Sequence, residues 1–458
     1  MKRLLAIALT VVMLVGGGAL VGRKALDEAL PPNALPTATG IALPDASDDD
    51  GAMDEEGPLA PKGVGFSPLD EAASFEEYYY ACLDDAGKKV YNLVSRAIEQ
   101  HEASVKLPVL DADDGFFVIS CVYNDHPEYY HVDYNGMLCT GAPGEGYVYH
   151  LTYSRSAEAY AEEMARIDSW VEGFRASLPW GASDYDITKK LNATLASHVA
   201  YNHRYSEQSS SLDFDAADSD TTATLYAGII NGRAVCEGYA RSALYILRAC
   251  GIPAAYASSD ASDHAWNIAQ IDGHDYLLDT TWGDPVDSER LDAEGFALNA
   301  MPSMAYLNVT TDESIDGHED PDSLVPRCTA RDASYFEREG LAFGSVPRGD
   351  KAASLIMEAI GKGAFTVDEE KGQVRITLKF ASEQEASSAE KLLLDQDYAV
   401  EQALNAQGTS IEGLGSVDYR SSEQALERCL VGIVFASDDL SWWQERQDPL
   451  LKPYVAAA

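Results

Sequence analysis

One stretch of the chain decides its fold: residues 232–285, which read GRAVCEGYARSALYILRACGIPAAYASSDASDHAWNIAQIDGHDYLLDTTWGDP. Within it, a cysteine, a histidine and an aspartate follow one another at the ends of a predicted helix and two predicted strands. These residues are Cys236, His264 and Asp279. In a thiol-based nucleophilic site, an imidazole activates the thiol and a carboxylate orients the imidazole. The stretch therefore predicts cysteine-dependent chemistry.

The cysteine opens a predicted helix. Apolar residues recur at helical spacing after Cys236, and Gly251 with Pro253 ends the pattern. The predicted buried stripe is Ala240, Ala243, Leu244 and Leu247. The turn dipeptide Asn231-Gly232 places Cys236 in or near the first helical turn. The unpaired N–H groups there carry partial positive charge, which favours a thiolate and can also stabilise a developing oxyanion.

The histidine and the aspartate lie on a predicted β-hairpin of residues 264–271 and 274–279. Asp272-Gly273 between them is a favoured two-residue turn, and a turn of that length sets the register. The predicted facing pairs are Ile271 with His274, Trp266 with Asp279, and His264 with Thr281. His264 and Asp279 are then diagonal neighbours on one face, about 7–8 Å apart at the backbone. The register predicts a hydrogen bond between imidazole and carboxylate, provided that the turn has two residues.

Three blocks of this stretch resemble the transglutaminase-like superfamily, in its bacterial and often secreted branch. They are GRAVCEGYA, DHAWN and YLLDTTWGDP, in that order. The resemblance implies Cys236 as nucleophile, His264 as base and acid, and Asp279 as the residue that orients the imidazole. It also implies an α+β fold with a papain-like core, in which helices, including the nucleophile helix, pack on an antiparallel sheet.

Four further residues are candidates for the surroundings of this site. Tyr201 lies roughly where a side-chain oxyanion donor can sit before the cysteine in this family, although a core tyrosine is the simpler interpretation. Trp266, Asn267 and Trp282 are interpreted as packing around the site and as support for its loops, rather than as chemistry.

The charge of the chain excludes one class of partner. Its 458 residues include 33 Lys+Arg against 75 Asp+Glu, a formal net charge of −42. Such a field repels phosphate backbones, so we expect no nucleic-acid partner. Solubility or adaptation to the surroundings explains the charge most simply, and attraction of cationic substrates stays open. The expected substrate is a protein or peptide, with cell-envelope material as one candidate.

The N-terminus reads as an export signal or a membrane anchor, residues 1–24. Lys2-Arg3 precedes an apolar run over 4–22, which is close to the length that spans a bilayer. Arg23-Lys24 follows without a small-x-small cleavage site, which favours an uncleaved anchor. We therefore expect an extracytoplasmic protein, secreted or held at the membrane by this segment alone.

The rest of the chain divides into four predicted parts. Residues 25–66 form an acidic, proline-rich linker. Residues 67–179 form an α+β module with strands at 116–122, 129–134 and 147–153 and helices at 88–101 and 157–178. Residues 180–346 form the catalytic domain, with a polar loop at 206–220 at the mouth of the site. Residues 347–458 form a smaller α/β module of βαβ type, either ligand-binding or structural. Its predicted strands are 373–380 and 431–435, and its predicted helices are 383–395 and 422–429.

The cysteine pattern predicts neither a metal nor any other cofactor. The chain has seven cysteines, and no Cys/His set has the spacing of a zinc site. With Cys236 as the nucleophile, six remain. Disulfides among them are permitted in an exported protein, and their pairing stays open, as does the oligomeric state.

The predicted chemistry leaves two outcomes and one rival. A thioester on Cys236 gives hydrolysis if water accepts the acyl group, as in a peptidase or amidase, and cross-linking if an amine does. Water reacts with the thioester faster than an amine does unless the site excludes water and orients the amine, so hydrolysis is favoured. The rival is a non-catalytic cell-surface binding module that retains the fold.

Overall fold

The computed structural model describes most of the chain from residue 62 onward. The described residues are 62–69, 77–134, 136–203, 222–259, 262–284, 286–291, 297–299, 302–314, 318, 324–345, 350–369, 371–394, 417–418, 429–436 and 440–456. The predicted segment 1–24, the linker up to residue 61, the loop 206–220 and almost all of the helix 422–429 lie outside them. Within the described ranges, no helix is both long and apolar enough to cross a bilayer.

The N-terminal part combines helices with a small antiparallel sheet. Its first elements are α1 (Tyr78–Cys82), α2 (Asp85–Glu99), β1 (Ser104–Leu107), α3 (Ala112–Asp125), β2 (Leu138–Ala142), β3 (Gly146–His150) and α4 (Ala157–Ala176). The strand order is β1-β3-β2, with both pairs antiparallel. The predicted helices at 88–101 and 157–178 correspond to α2 and α4, and the predicted strand at 147–153 corresponds in part to β3.

Two predicted strands of this part are wrong. Residues 116–122 lie in helix α3, because a short, continuous apolar run fits a buried helix as well as a strand. The helix-start signal precedes the run: the Asp111 carboxylate accepts from the Asp113 N–H at 3.0 Å. Residues 129–134 form no strand either. They begin at the end of a 3₁₀ turn and contribute a single β-bridge, from Val132 to Tyr153.

The central part places a helix on an antiparallel sheet, as predicted. Its elements are α5 (Asp184–His198), β4 (Ala200–Tyr201), β5 (Arg233–Ala234), α6 (Cys236–Ala249), β6 (Ala254–Ser259), β7 (His264–Ile271), β8 (His274–Leu278), β9 (Val286–Leu291) and β10 (Ala297–Asn299). The sheet order is β6-β7-β8. Ser183 caps α5 in a capping box with Asp186. Helix α6 packs across β7, where the Asn267 amide donates to the Ala240 carbonyl at 3.0 Å.

The hairpin turn has the predicted two residues. Asp272 and Gly273 have φ values of 53° and 81°, the left-handed conformations that a type I′ turn requires. Ile271 faces His274, and the ladder continues as far as Asn267 and Leu278. Beyond that pair, the Asp279 N–H donates to the Tyr306 carbonyl instead, at 3.2 Å. The turn therefore sets which residues of the two strands face each other. The β7–β8 pairing ends at Leu278, one residue before Asp279.

The C-terminal part forms a mixed sheet that shares its core with the central part. Its elements are α7 (Tyr335–Glu339), β11 (Ala342–Phe343), α8 (Asp350–Lys362), β12 (Thr366–Asp368), β13 (Gln373–Phe380), α9 (Glu383–Leu394), β14 (Val417–Asp418), β15 (Leu430–Ala436) and α10 (Ser441–Arg446). The sheet order is β11-β13-β15-β14, with β12 also paired to β13. The predicted strands and the helix at 383–395 are present. The βαβ arrangement is wrong, because β13 and β15 run antiparallel.

One apolar cluster continues from α4, α5 and α6 into β13 and β15. Lys189 on α5 adds a buried ionic contact, with its Nζ 2.6 Å from Glu339 Oε1 and 2.5 Å from Asp448 Oδ2. The C-terminal sheet is therefore packed onto the central helices. The four predicted boundaries between parts stay predictions.

A buried ion pair ties the N-terminal part to helix α6. Arg241 Nε donates to Glu237 Oε1 at 2.8 Å, and the Tyr123 hydroxyl donates to the same oxygen at 3.0 Å. The Arg241 guanidinium lies 3.4 Å from the ring centroid of Tyr123 and 4.6 Å from that of Tyr256. Only 1% of Arg241 is exposed. These contacts hold the first turn of α6, where Cys236 lies.

We expect Arg241→Met to destabilise the protein strongly. The substitution leaves the Glu237 carboxylate buried without its cation, which typically costs about 3–5 kcal/mol. Arg327→Met is the matched control, since Arg327 pairs with Asp312 on the exposed surface, and such pairs contribute about 1 kcal/mol or less. Urea denaturation followed by tryptophan fluorescence measures both. Equal, small losses would contradict a stabilising role for the Arg241 contacts.

Candidate active site

Cys236 is the first residue of α6. Val235 before it is extended (φ −94°, ψ −179°) and gives the helix no side-chain cap. The N–H groups of the first turn therefore stay available to a negative charge near the thiol. Gly238 allows the close approach of this turn to its neighbours, because a Cβ there would lie 2.7 Å from Ala234 Cβ and 2.8 Å from the Thr222 carbonyl oxygen. Cys236 itself is half-buried, with its Sγ 3.9 Å from the Asp263 carbonyl oxygen.

His264 is the first residue of β7 and lies between the thiol and a carboxylate. Its Nε2 is 2.7 Å from Asp279 Oδ2, and the Cys236 thiol is close enough to the ring to affect its pKa. Since Nε2 faces Asp279, Nδ1 is the nitrogen left for the thiol. Burial lowers the pKa of His264, but the Asp279 carboxylate and, more weakly, Cys236 outweigh it and raise the pKa to about 10. The imidazole is therefore held as an imidazolium at neutral pH.

Asp279 is fully buried at the end of β8. Its Oδ1 accepts from the N–H groups of Thr281 and Trp282, at 2.8 and 3.0 Å. Its Oδ2 accepts from His264 and from His318, each at 2.7 Å. Burial raises the pKa of Asp279, but the two histidines and the hydrogen bonds hold it well below its usual range. The carboxylate is therefore ionised.

His318 is a member of this cluster that the sequence analysis missed. Its ring has 3% exposure and packs against Trp266, Trp282 and Tyr306, with ring centroids 4.9, 4.8 and 5.6 Å away. It lies 39 residues beyond Asp279, in an acidic stretch without periodicity or a motif. No local signal could have identified it, because only the tertiary fold brings it to the carboxylate.

The four accompanying candidates lie around the same site. Tyr201 on β4 pairs in parallel with Ala234, two residues before Cys236. Burial raises the pKa of Tyr201, and the charges of Cys236 and Asp263 raise it further. The Trp282 and Trp266 rings lie 5.3 and 6.0 Å from that of His264. Asn267 holds β7 against α6, as described above. The roles predicted for these residues stay predictions.

The cluster also holds three atoms of the kind that bind metals. These atoms lie within 4.8 Å of one another and belong to His264, His318 and Asp279, one from each residue. They are the group of this kind that the described part of the chain contains. The two hydrogen bonds of 2.7 Å already account for their proximity. We therefore treat the group as a hydrogen-bonded network, and the expected independence from metals stays a prediction.

The other cysteines lie in different surroundings. None of the seven cysteines, all within the described ranges, forms a disulfide. Burial raises the pKa of these six thiols, and for Cys250 it does so to about 11. These thiols belong to Cys82, Cys121, Cys139, Cys250, Cys328 and Cys429. Protonated thiols are poor nucleophiles.

Comparison with known proteins supports the resemblance seen in the sequence. The model of the transglutaminase-like superfamily matches residues 178–279, a segment that contains Cys236 and His264 and ends at Asp279. A solved structure described as "Crystal structure of a TGase" is similar at 15% identity and a TM-score of 0.25, over 34% of this chain and 47% of that one. The chain thus spans about half the length of that structure. A search of the curated proteins finds no match. The predicted resemblance to the superfamily is confirmed for residues 178–279, and the predicted α+β class is confirmed, consistent with a papain-like core.

We expect iodoacetamide to alkylate Cys236 first. At pH 7 the imidazolium of His264 supports a thiolate at Cys236, while burial keeps the other thiols protonated, so the rates should differ by at least about tenfold. Peptide mass spectrometry at short times measures each site. The Cys236→Ala variant should lose the fast phase and keep the slow one. Equal rates at all seven cysteines would contradict an activated thiol.

Asp279→Asn should move the pH at which Cys236 becomes reactive. The neutral amide removes the charge that raises the pKa of His264, and burial then lowers that pKa. A less basic imidazole stabilises the thiolate less, so we expect the rise in alkylation rate to shift upward by about one pH unit or more. Asp275→Asn, on the same hairpin, is the matched control and should leave the profile in place. An unchanged profile in Asp279→Asn would mean that the carboxylate does not act on the imidazole.

Proposed function

We propose, on the premise that residues 178–279 form a transglutaminase-like domain, that this protein is a cysteine-dependent amide or peptide hydrolase. In this proposal Cys236 is the nucleophile, His264 the acid and base, and Asp279 the residue that orients the imidazole. One observation carries the proposal: the His264 ring is 2.7 Å from the Asp279 carboxylate and close enough to the Cys236 thiol for the thiol to raise its pKa. A nucleophile, a base and an orienting group next to one another are the arrangement that thiol acyl transfer requires.

The first half of the reaction forms a thioester. The Cys236 thiolate attacks the carbonyl carbon of an amide, and the carbonyl oxygen becomes an oxyanion. As the C–N bond breaks, the imidazolium of His264 gives its Nδ1 proton to the leaving amine. The Asp279 carboxylate stays ionised and holds Nε2, which keeps the ring aimed at the sulfur.

The oxyanion has donors at hand near the start of α6. The backbone N–H groups of its first turn lie beside the thiol and carry the positive end of the helix dipole. Tyr201 is the candidate for a side-chain donor, because burial raises the pKa of its hydroxyl and so keeps it protonated. A donor aimed at the oxyanion stabilises the transition state more than the ground state.

The second half of the reaction decides between hydrolysis and transfer. His264, now neutral, takes a proton from the acceptor as it attacks the thioester. Cys236 is only half-buried, which leaves the thioester accessible to water. Water at its bulk concentration outcompetes an amine unless the site excludes it, which favours hydrolysis. Cross-linking of proteins is the alternative outcome, and a non-catalytic binding module that retains the fold is the alternative of another class.

We also propose where the protein acts and on what. The charged and apolar residues at positions 2–24 support export, with the chain secreted or held at the membrane by that segment. A protein or peptide substrate, including cell-envelope material, fits that location. The net charge of −42 disfavours nucleic acid.

The two acyl-transfer outcomes are separable in one assay. We expect the full-length protein, incubated with a panel of peptides that includes glutamine donors, to release amine or ammonia and the free acid. A labelled primary amine present in the reaction should not be incorporated. Mass spectrometry of the products measures both. Because the reaction requires the thiolate, Cys236→Ala should lose at least about 10³-fold in rate.

Each other result has a defined meaning. Incorporation of the amine would replace hydrolysis by transfer. Equal, background-level product from the wild type and from Cys236→Ala across the panel would favour the binding module. Matching thermal unfolding curves for the two proteins are the control that the variant is folded.

A further inference from the structure

His318 lies between two hydrogen-bond acceptors. Its Nε2 is 2.7 Å from Asp279 Oδ2, and its Nδ1 is 3.1 Å from the Ser314 carbonyl oxygen. A backbone carbonyl and an ionised carboxylate accept hydrogen bonds and cannot donate them. Both ring nitrogens must therefore carry a hydrogen for both contacts to be satisfied, and an imidazole with two N–H groups is a cation.

The surroundings of the ring provide a partner for a cation. A buried charge needs a partner of opposite sign, and the Asp279 carboxylate is in direct contact with the ring. Two tryptophan rings and a tyrosine ring, all within 6 Å, pack around it. The hydrogen bonds and the charge of Asp279 thus both favour the protonated form.

We infer that His318 is a positioning residue, a buried imidazolium that contacts the same oxygen of Asp279 as His264 does and weakens the hold of that carboxylate on the His264 proton. This inference rests on the proposed function, since it gives the catalytic acid its strength. Asp279 Oδ2 is shared between two imidazoles whose ring centroids lie 5.1 Å apart. The positive charge of His318 repels that of His264. His264 therefore gives its proton to a leaving amine more readily than it would beside Asp279 alone.

Other titratable groups also lie near these rings. Among the described residues they include Tyr201 on β4, Asp263 before β7 and Tyr306 beside His318. Burial raises the pKa of Tyr201 and of Asp263.

The protonation of His318 is testable in the wild-type protein without any turnover. In ¹⁵N-histidine-labelled protein, we expect both ring nitrogens of His318 to show a bonded proton, one for each of its two acceptors. The His318→Gln spectrum assigns the signals by their disappearance. A neutral tautomer with one unprotonated nitrogen would overturn the inference, whatever the variants do.

Two variants of His318 separate the effect of its charge on His264 from the effect of its hydrogen bonds. His318→Gln can still donate to Asp279 but has no charge, so the midpoint of the His264 titration should rise by about one to two pH units. We expect kcat to fall about tenfold with KM unchanged. His318→Phe keeps a ring but loses both donors, and its kcat should fall about a hundredfold. His274→Gln, an exposed histidine on the same hairpin, is the control and should change neither quantity.

Failure of this inference differs from failure of the proposed function. If iodoacetamide labels Cys236 fastest while the His264 midpoint in a folded His318→Gln variant stays unchanged, only the role of His318 is overturned. If Cys236 is not labelled selectively and no peptide is hydrolysed, the proposed function fails. The doubly protonated state of His318 can still be observed in that case.

Discussion

The buried carboxylate of Asp279 organises the centre of this protein. A negative charge removed from water is tolerated only when donors replace its hydration. Here four donors do so: two backbone N–H groups of the turn that follows and the two imidazoles. Each donor comes from a defined direction, so the carboxylate cannot rotate. The hydrogen bond to Asp279 Oδ2 orients the ring of His264, and that ring is the neighbour of the Cys236 thiol.

The other half of the site depends on how helix α6 is held. The imidazole and the thiol lie on different elements, and catalysis requires their separation to be maintained within a fraction of an ångström. Asn267 joins β7 directly to the backbone of α6 at Ala240, one residue before the Arg241 that anchors the first turn of the helix through Glu237. Tyr123, from α3, closes over that ion pair. The N-terminal part therefore supports the nucleophile helix from behind rather than only preceding it in the chain.

Comparison of the predicted with the observed elements shows where local patterns suffice. Helix α6 and the hairpin were predictable because each combines a period with boundary signals: a turn before Cys236, Gly251 after it, and Asp272-Gly273 between the strands. The run at 116–122 is continuous and short, so its period does not distinguish a strand from a buried helix. In that segment the helix is indicated by the polar residues before the run: Asp111 caps it, and Asp113 and Asp114 lie in its first turn. The C-terminal strands were located correctly, but the direction in which they pair is a property of the chain path between them.

The sequence by itself determined helix α6, the two-residue turn and the order of cysteine, histidine and aspartate. Those features depend on spacing within a few tens of residues, where periodicity and turn chemistry are strong. Only the tertiary structure decided that His318 reaches the carboxylate of Asp279, that Tyr123 and Tyr256 enclose Arg241, and that the C-terminal sheet shares a core with α5 and α6. These contacts join residues that are distant along the chain. No pattern within one segment records them, because their geometry exists only once the intervening elements have packed.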